Sequence, residues 1–166
     1  MIHLPRLTLS QSRPSDAPDF RALEADPEVM RFLTGGQTGQ PSDGTWAQPQ
    51  GTEPEVWTAR LHDGSFVGWF GLWPEEDGSA EMGYRLARAH WGQGLAAEGA
   101  RALMDWGFSQ GHRAITASTL TVNLASRRVM EKIGMTHLRT TFPAWPTPFP
   151  GTEAGEVWYQ ALRPEN

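Results

Sequence analysis

Apolar residues alternate with polar ones in several short runs of the chain, and in two longer runs they recur every three or four positions. The alternating runs predict strands and the others predict helices. Ile2 to Leu9 reads as a first strand. Asp16 to Leu23 and Pro27 to Leu33 read as short helices, the second with Asp26 as its cap and Pro27 in the first helical position. Val56 to Leu61 and Phe66 to Trp73 are strands, and Asp63-Gly64 between them is a hairpin signal. The second of these strands is apolar on both faces, which predicts a central, buried position. Ala80 to Leu86 is the next strand. Leu95 to Gln110 follows as a helix with Leu95, Gly99, Ala102, Leu103 and Trp106 on one stripe. Ala114 to Leu120 is a strand. Leu124 to Ile133 is a helix whose stripe is Ala125, Val129 and Ile133, with Lys132 in its last turn and Gly134 placed for a left-handed cap. Met135 to Phe142 and Glu156 to Leu162 are the last strands, joined by the proline-rich loop Pro143 to Gly151.

The order is β-α-α-β-β-β-α-β-α-β-β. Strand, helix and strand from Ala80 to Leu120 form a crossover, which sets two parallel neighbours, and the rest of the sheet can be antiparallel. The expected class is α/β, a mixed twisted sheet with helices on both faces. Thr34 to Gly51 is rich in Gly, Pro, Gln, Ser and Thr. It is too long for an ordinary connection, so it is either a functional loop or a disordered one.

The chain has 166 residues, the size of a single domain spanning 1–166. It has no cysteine, which excludes thiolate metal sites and a cysteine nucleophile. A net charge of −5 argues against nucleic acid as a partner, because phosphate backbones select basic faces. No run approaches the roughly 20 apolar residues that span a bilayer, so no membrane association is expected. Met1 to Ser10 is too polar for a signal peptide, which makes a cytoplasmic location the default.

The chemistry concentrates in His90-Trp91-Gly92-Gln93-Gly94-Leu95-Ala96-Ala97, between a strand and a helix start. Unpaired N–H groups and the helix dipole there favour an anion such as a diphosphate. Gly92 and Gly94 allow close backbone approach, and Ala96 and Ala97 add no bulk. By itself the segment also reads as an ordinary glycine turn. It matches neither a Walker loop nor a dinucleotide fingerprint.

Glu81-Met82-Gly83-Tyr84-Arg85-Leu86 precedes this segment, and Asn123-Leu124-Ala125-Ser126 opens a helix that ends in Lys132-Ile133-Gly134-Met135. In this order the motifs resemble the GCN5-related N-acetyltransferase (GNAT) superfamily, and more closely its branch that acetylates ribosomal-protein N-termini (the RimJ/RimL type). Arg6-Leu7-Thr8-Leu9, Asp16-Ala17 and Asp26-Pro27-Glu28-Val29 fit as well. Leu95 and Gly99 depart from that branch, which often has an aromatic residue and usually an alanine there.

The resemblance implies a single-domain acyl-CoA N-acyltransferase fold in which strands Ala80–Leu86 and Ala114–Leu120 splay apart. Acetyl-CoA would be the co-substrate, with no metal. Its pantetheine arm would bond to backbone groups near Tyr84 and Leu86, and its pyrophosphate would sit on the amides from Gly92 to Ala97, with Trp91 at the start of the loop. Asn123 would lie near the pantetheine arm and Ser126 near the thioester sulfur. The acceptor would be a primary amine, on a protein N-terminus or on a small molecule. A catalytically silent acyl-CoA-binding module is the alternative.

Each residue also has a plainer reading. Glu81 is either a base or a strand carboxylate paired with Arg85, and Glu156 is the second candidate base. Asn123 is also an N-cap, and Ser126 can be an idle first-turn serine. Arg127 and Arg128 are either a solvated helix face or an attraction for nucleotide phosphates. The histidines, including His90 and His112, show no metal-ligand spacing. Trp145 and Phe149 in the proline-rich loop point to an acceptor pocket or a homodimer contact.

Overall fold

The computed structural model describes residues 1–38 and 49–165. Most of the anomalous Thr34–Gly51 segment therefore lies outside the described residues. Among the described residues, eight strands form one sheet in the order β1-β2-β3-β4-β5-β6-β8-β7. They are β1 (Ile2–His3), β2 (Leu7–Gln11), β3 (Val56–Leu61), β4 (Phe66–Pro74), β5 (Ala80–Leu86), β6 (Ala114–Leu120), β7 (Thr136–Thr141) and β8 (Glu156–Leu162). The helices are α1 (Ala17–Glu24), α2 (Arg31–Thr34), α3 (Leu95–Ser109) and α4 (Leu124–Lys132). Every strand pair is antiparallel except β5 and β6, joined by the α3 crossover.

The first strand departs from expectation. β1 and β2 are separate and antiparallel, with Ile2 opposite Leu9. The chain reverses where the N–H of Leu4 bonds the carbonyl of Leu7 at 2.8 Å. Pro5 sits in that turn, and the apolar positions change parity there, from Ile2 and Leu4 to Leu7 and Leu9. The second helix is also shorter than expected. Asp26 accepts the N–H of Glu28 at 3.0 Å, so a turn comes first, and α2 runs only from Arg31 to a left-handed Gly35.

α4 buries a different stripe from the one its spacing suggested. Met130 and Ile133 are buried and Val129 is partly so, whereas Ala125 is exposed. The inward row is Ser126, Met130 and Ile133, so a polar residue occupies one place on the packed face.

β4 is central and almost wholly buried, as its apolar pattern predicts. The main core lies between the sheet and α3, around Phe70, Leu72, Met82, Leu95, Leu103 and Ile115. Gly99 explains a departure in the sequence: a Cβ there would stand 2.3 Å from Cζ of Phe70. A second cluster packs α1 on the opposite face through Phe20, Leu23, Val56 and Trp69.

Candidate active site

β5 and β6 pair only at Ala80 with Ile115 and at Glu81 with Thr116. Beyond Glu81 they diverge, and no strand among the described residues covers the edge of β5 that faced β6. The gap has two sides, because successive strand residues point to opposite faces. Ala80, Met82 and Tyr84 belong to the α3 and α4 side. Glu81, Gly83 and Arg85 belong to the α1 side, as their cross-strand partners Trp73, Gly71 and Trp69 do.

On the α4 side, Asn123 caps the helix by accepting the N–H of Ser126 at 3.3 Å. Its amide donates to the Thr119 hydroxyl at 3.0 Å, which ties the cap to β6. The Ser126 hydroxyl lies 3.1 Å from the Tyr84 hydroxyl. Burial pushes the Tyr84 phenol up to about 12, with the Ser126 bond a smaller opposing influence.

On the α1 side, burial raises the Glu81 carboxyl above its usual range, and the negative charges of Glu75 and Glu156 raise it further. Burial also raises Glu156. Glu156 pairs with Leu120 of β6 and so shares this face, across the gap from Glu81. The alternative pairing of Glu81 with Arg85 is not formed. Arg85 instead makes a buried ion pair with Glu24 of α1, and its guanidinium lies 5.1 Å from the centre of the Trp69 ring. With Arg85 committed to Glu24, the Glu81 carboxyl keeps its raised affinity for a proton.

The loop from Trp91 to Ala97 is held from several directions. Gly92 and Gly94 take positive φ values of 71° and 77°. The N–H of Glu98 makes the first helical bond, to Gly94 at 3.1 Å, leaving the amides of Leu95, Ala96 and Ala97 ahead of the helical ladder. The Trp91 indole donates to the Leu86 carbonyl at 2.8 Å, which leaves that carbonyl one lone pair. The Gln93 side chain donates to Ala89 at 3.2 Å.

Arg6, which the sequence had offered only as part of a motif, donates to the Gln93 carbonyl at 2.6 Å and to Glu98 at 2.7 Å. A Cβ on Gly94 would find Arg6 at 3.4 Å and the Lys132 ammonium at 3.8 Å. Two cations thus flank amides that lead a helix, and this fits the diphosphate of an acyl carrier. Arg128 is exposed on α4. Arg127 is engaged structurally, donating to the Thr121 carbonyl at 3.0 Å and to the Tyr159 hydroxyl at 3.2 Å.

Trp73 also went unnoticed in the sequence. It stands directly opposite Glu81, and its ring covers Gly71 and Gly83. The proline-rich loop lies against the end of α2, where Phe149 occupies the space a side chain on Gly35 would need. Phe142, Trp145 and Phe149 line an open groove of about 630 Å³ there. Among the described residues no cluster of His, Asp and Glu is arranged to hold a metal, and no helix is long and apolar enough to cross a membrane.

A family model described as an acetyltransferase (GNAT) domain matches residues 6–136. The chain belongs to the GNAT family of acetyltransferases. It is an acetyl-CoA-dependent N-acetyltransferase with the family's mixed sheet. The chain is 36% identical over 160 residues to the FsC-acetyl coenzyme A-N(2)-transacetylase of Aspergillus fumigatus, covering 86% of this chain and 68% of that protein. A GNAT-family acetyltransferase from Bacillus anthracis has the same fold, with a TM-score of 0.79 at 22% identity over 98% of both chains. The ribosomal L7/L12 α-N-protein acetyltransferase RimL, in complex with coenzyme A, aligns with a TM-score of 0.73 at 16% identity, covering 95% of this chain and 94% of that one.

Proposed function

We propose that this GNAT enzyme transfers acetyl directly to a primary amine at the gap between β5 and β6, with Glu81 as the base and Ser126 as the hydrogen-bond donor to the departing sulfur. The observation that carries this reading is the placement of the two groups on opposite sides of one opening. Glu81 is at its root on the α1 side, and Ser126 borders it on the α4 side. Acetyl-CoA supplies the acyl group as a thioester.

The amides of Gly92 to Ala97, flanked by Arg6 and Lys132, hold the pyrophosphate. Asn123 and the free edge of β5 at Tyr84 and Leu86 hold the pantetheine arm. Arg128 contributes long-range attraction to the phosphates and no fixed contact. Glu81 takes the proton of the attacking amine as the C–N bond forms and the C–S bond breaks. Ser126 donates a hydrogen bond to the sulfur, and its location in the first turn of α4 lends that donation the helix dipole. With no cysteine in the chain, no thiol can carry the acetyl group.

The acceptor we favour is an amine on a small molecule, since the Aspergillus relative is named for transfer to an N(2) position. The finer placement with enzymes of ribosomal-protein N-termini rests on the motif order alone, and a peptide α-amine is the second reading. Gly35 and the loop around Trp145 and Phe149 would border the acceptor. The test is release of coenzyme A thiol from acetyl-CoA with a panel of amines. Release with small amines and not with peptides supports the reading. Release with peptides alone moves the enzyme to the second reading.

A further inference from the structure

We propose that Tyr84 positions the hydroxyl of Ser126, acting through its side chain and not only through the backbone edge of β5. This rests on the reading of Ser126 as the donor to the departing sulfur. The Tyr84 and Ser126 hydroxyls are 3.1 Å apart, and Tyr84 also reaches the Ser126 carbonyl at 3.4 Å. The two residues are 42 positions apart, so the contact is made by the fold and not by neighbouring sequence.

The tyrosine is rigidly placed. Its ring packs 5.8 Å from that of Phe70, which in turn fills the space left by the missing side chain of Gly99. The serine is equally fixed at its backbone, through the Asn123 cap at 3.3 Å. Only its hydroxyl can turn. A serine in a helix tends to turn that hydroxyl back onto a carbonyl of the preceding turn. Either hydroxyl can donate across the 3.1 Å contact, and the Ser126 carbonyl lies farther from Tyr84 at 3.4 Å. In the proposed arrangement Tyr84 donates to the serine oxygen and leaves the serine's own hydrogen to point into the gap.

The same geometry limits what Tyr84 can be. Its phenol, held at about 12 by burial, keeps its proton at neutral pH. In this proposal it acts through the Ser126 hydroxyl that it touches and does not itself protonate the thiolate. No proton need leave either hydroxyl, since two linked hydrogen bonds disperse the charge growing on sulfur.

The test compares Tyr84→Phe, Ser126→Ala and the double variant by steady-state kinetics. Tyr84→Phe should lower kcat about tenfold, the scale of one hydrogen bond, and leave the KM for acetyl-CoA nearly unchanged. In the Ser126→Ala background the same change should have almost no further effect on kcat. An equal loss in both backgrounds, or no loss in the wild-type background, overturns the proposal and leaves Ser126 its role. Wild-type kcat in Ser126→Ala alone overturns the reading of Ser126, and this proposal with it. Tyr84→Met supplies the same comparison where the phenylalanine variant fails to fold.

Discussion

The ring of Trp73 lies over Gly71, so closely that a Cβ there would stand 2.2 Å from its edge. Trp73 is also the cross-strand partner of Glu81. The glycine thus seats an aromatic face beside the proposed base, on the side from which an amine would approach. Gly71→Ala must displace that ring. Overpacking of this kind costs about 1–3 kcal/mol, to be read from denaturant unfolding. Acceptor kcat/KM should fall further than acetyl-CoA affinity does, and an equal loss of both would detach Trp73 from the acceptor side.

Glu81 has its proton affinity raised first by burial and then by Glu75 and Glu156. Activity should rise with pH as Glu81 ionises, and Glu81→Gln should remove that acidic limb while sparing acetyl-CoA binding. The linkage has a definite sign. A carboxyl whose folded pKa is raised favours the fold at low pH, and that contribution is lost as pH rises through the folded pKa. Glu81→Gln should therefore raise the melting temperature at neutral pH and not below about pH 4. A normal acidic limb in the variant would transfer the base role to Glu156 or to water.

Gly94 combines a φ of 77° with two flanking cations. Gly94→Val strains the backbone and crowds the amides. Acetyl-CoA affinity by calorimetry should fall at least tenfold, roughly 1.4 kcal/mol. A folded variant of unchanged affinity would place the pyrophosphate elsewhere.

Glu24 and Arg85 form an ion pair with side chains only 5% and 10% exposed. Glu24→Ala removes the carboxylate from this buried pair, at a cost of about 3–5 kcal/mol. Replacing both partners, with Arg85→Met added, should recover much of that loss in chemical denaturation. No recovery would mean that the pair is needed for more than charge balance.

Much of this was legible in the chain because the signals are local. The glycine turn before α3, the Asn123 cap and the crossover that sets β5 parallel to β6 all lie within short stretches of sequence. What escaped is long-range. Arg85 was readable as a neighbour of Glu81 on its own strand, yet it turns to Glu24, 61 residues away. Trp73 meets Glu81 only once the β4–β5 register is known. The inward place of Ser126 was hidden because the spacing of Ala125, Val129 and Ile133 made an equally good stripe on α4. A polar residue on a helix face with apolar places at i+4 and i+7 was the available clue.

Initial rates with acetyl-CoA and the amine varied together test direct transfer at the β5–β6 gap most directly. The account predicts reciprocal plots that intersect, since both substrates must be bound before any bond changes. Parallel lines, together with an isolable acetyl-enzyme, would contradict it.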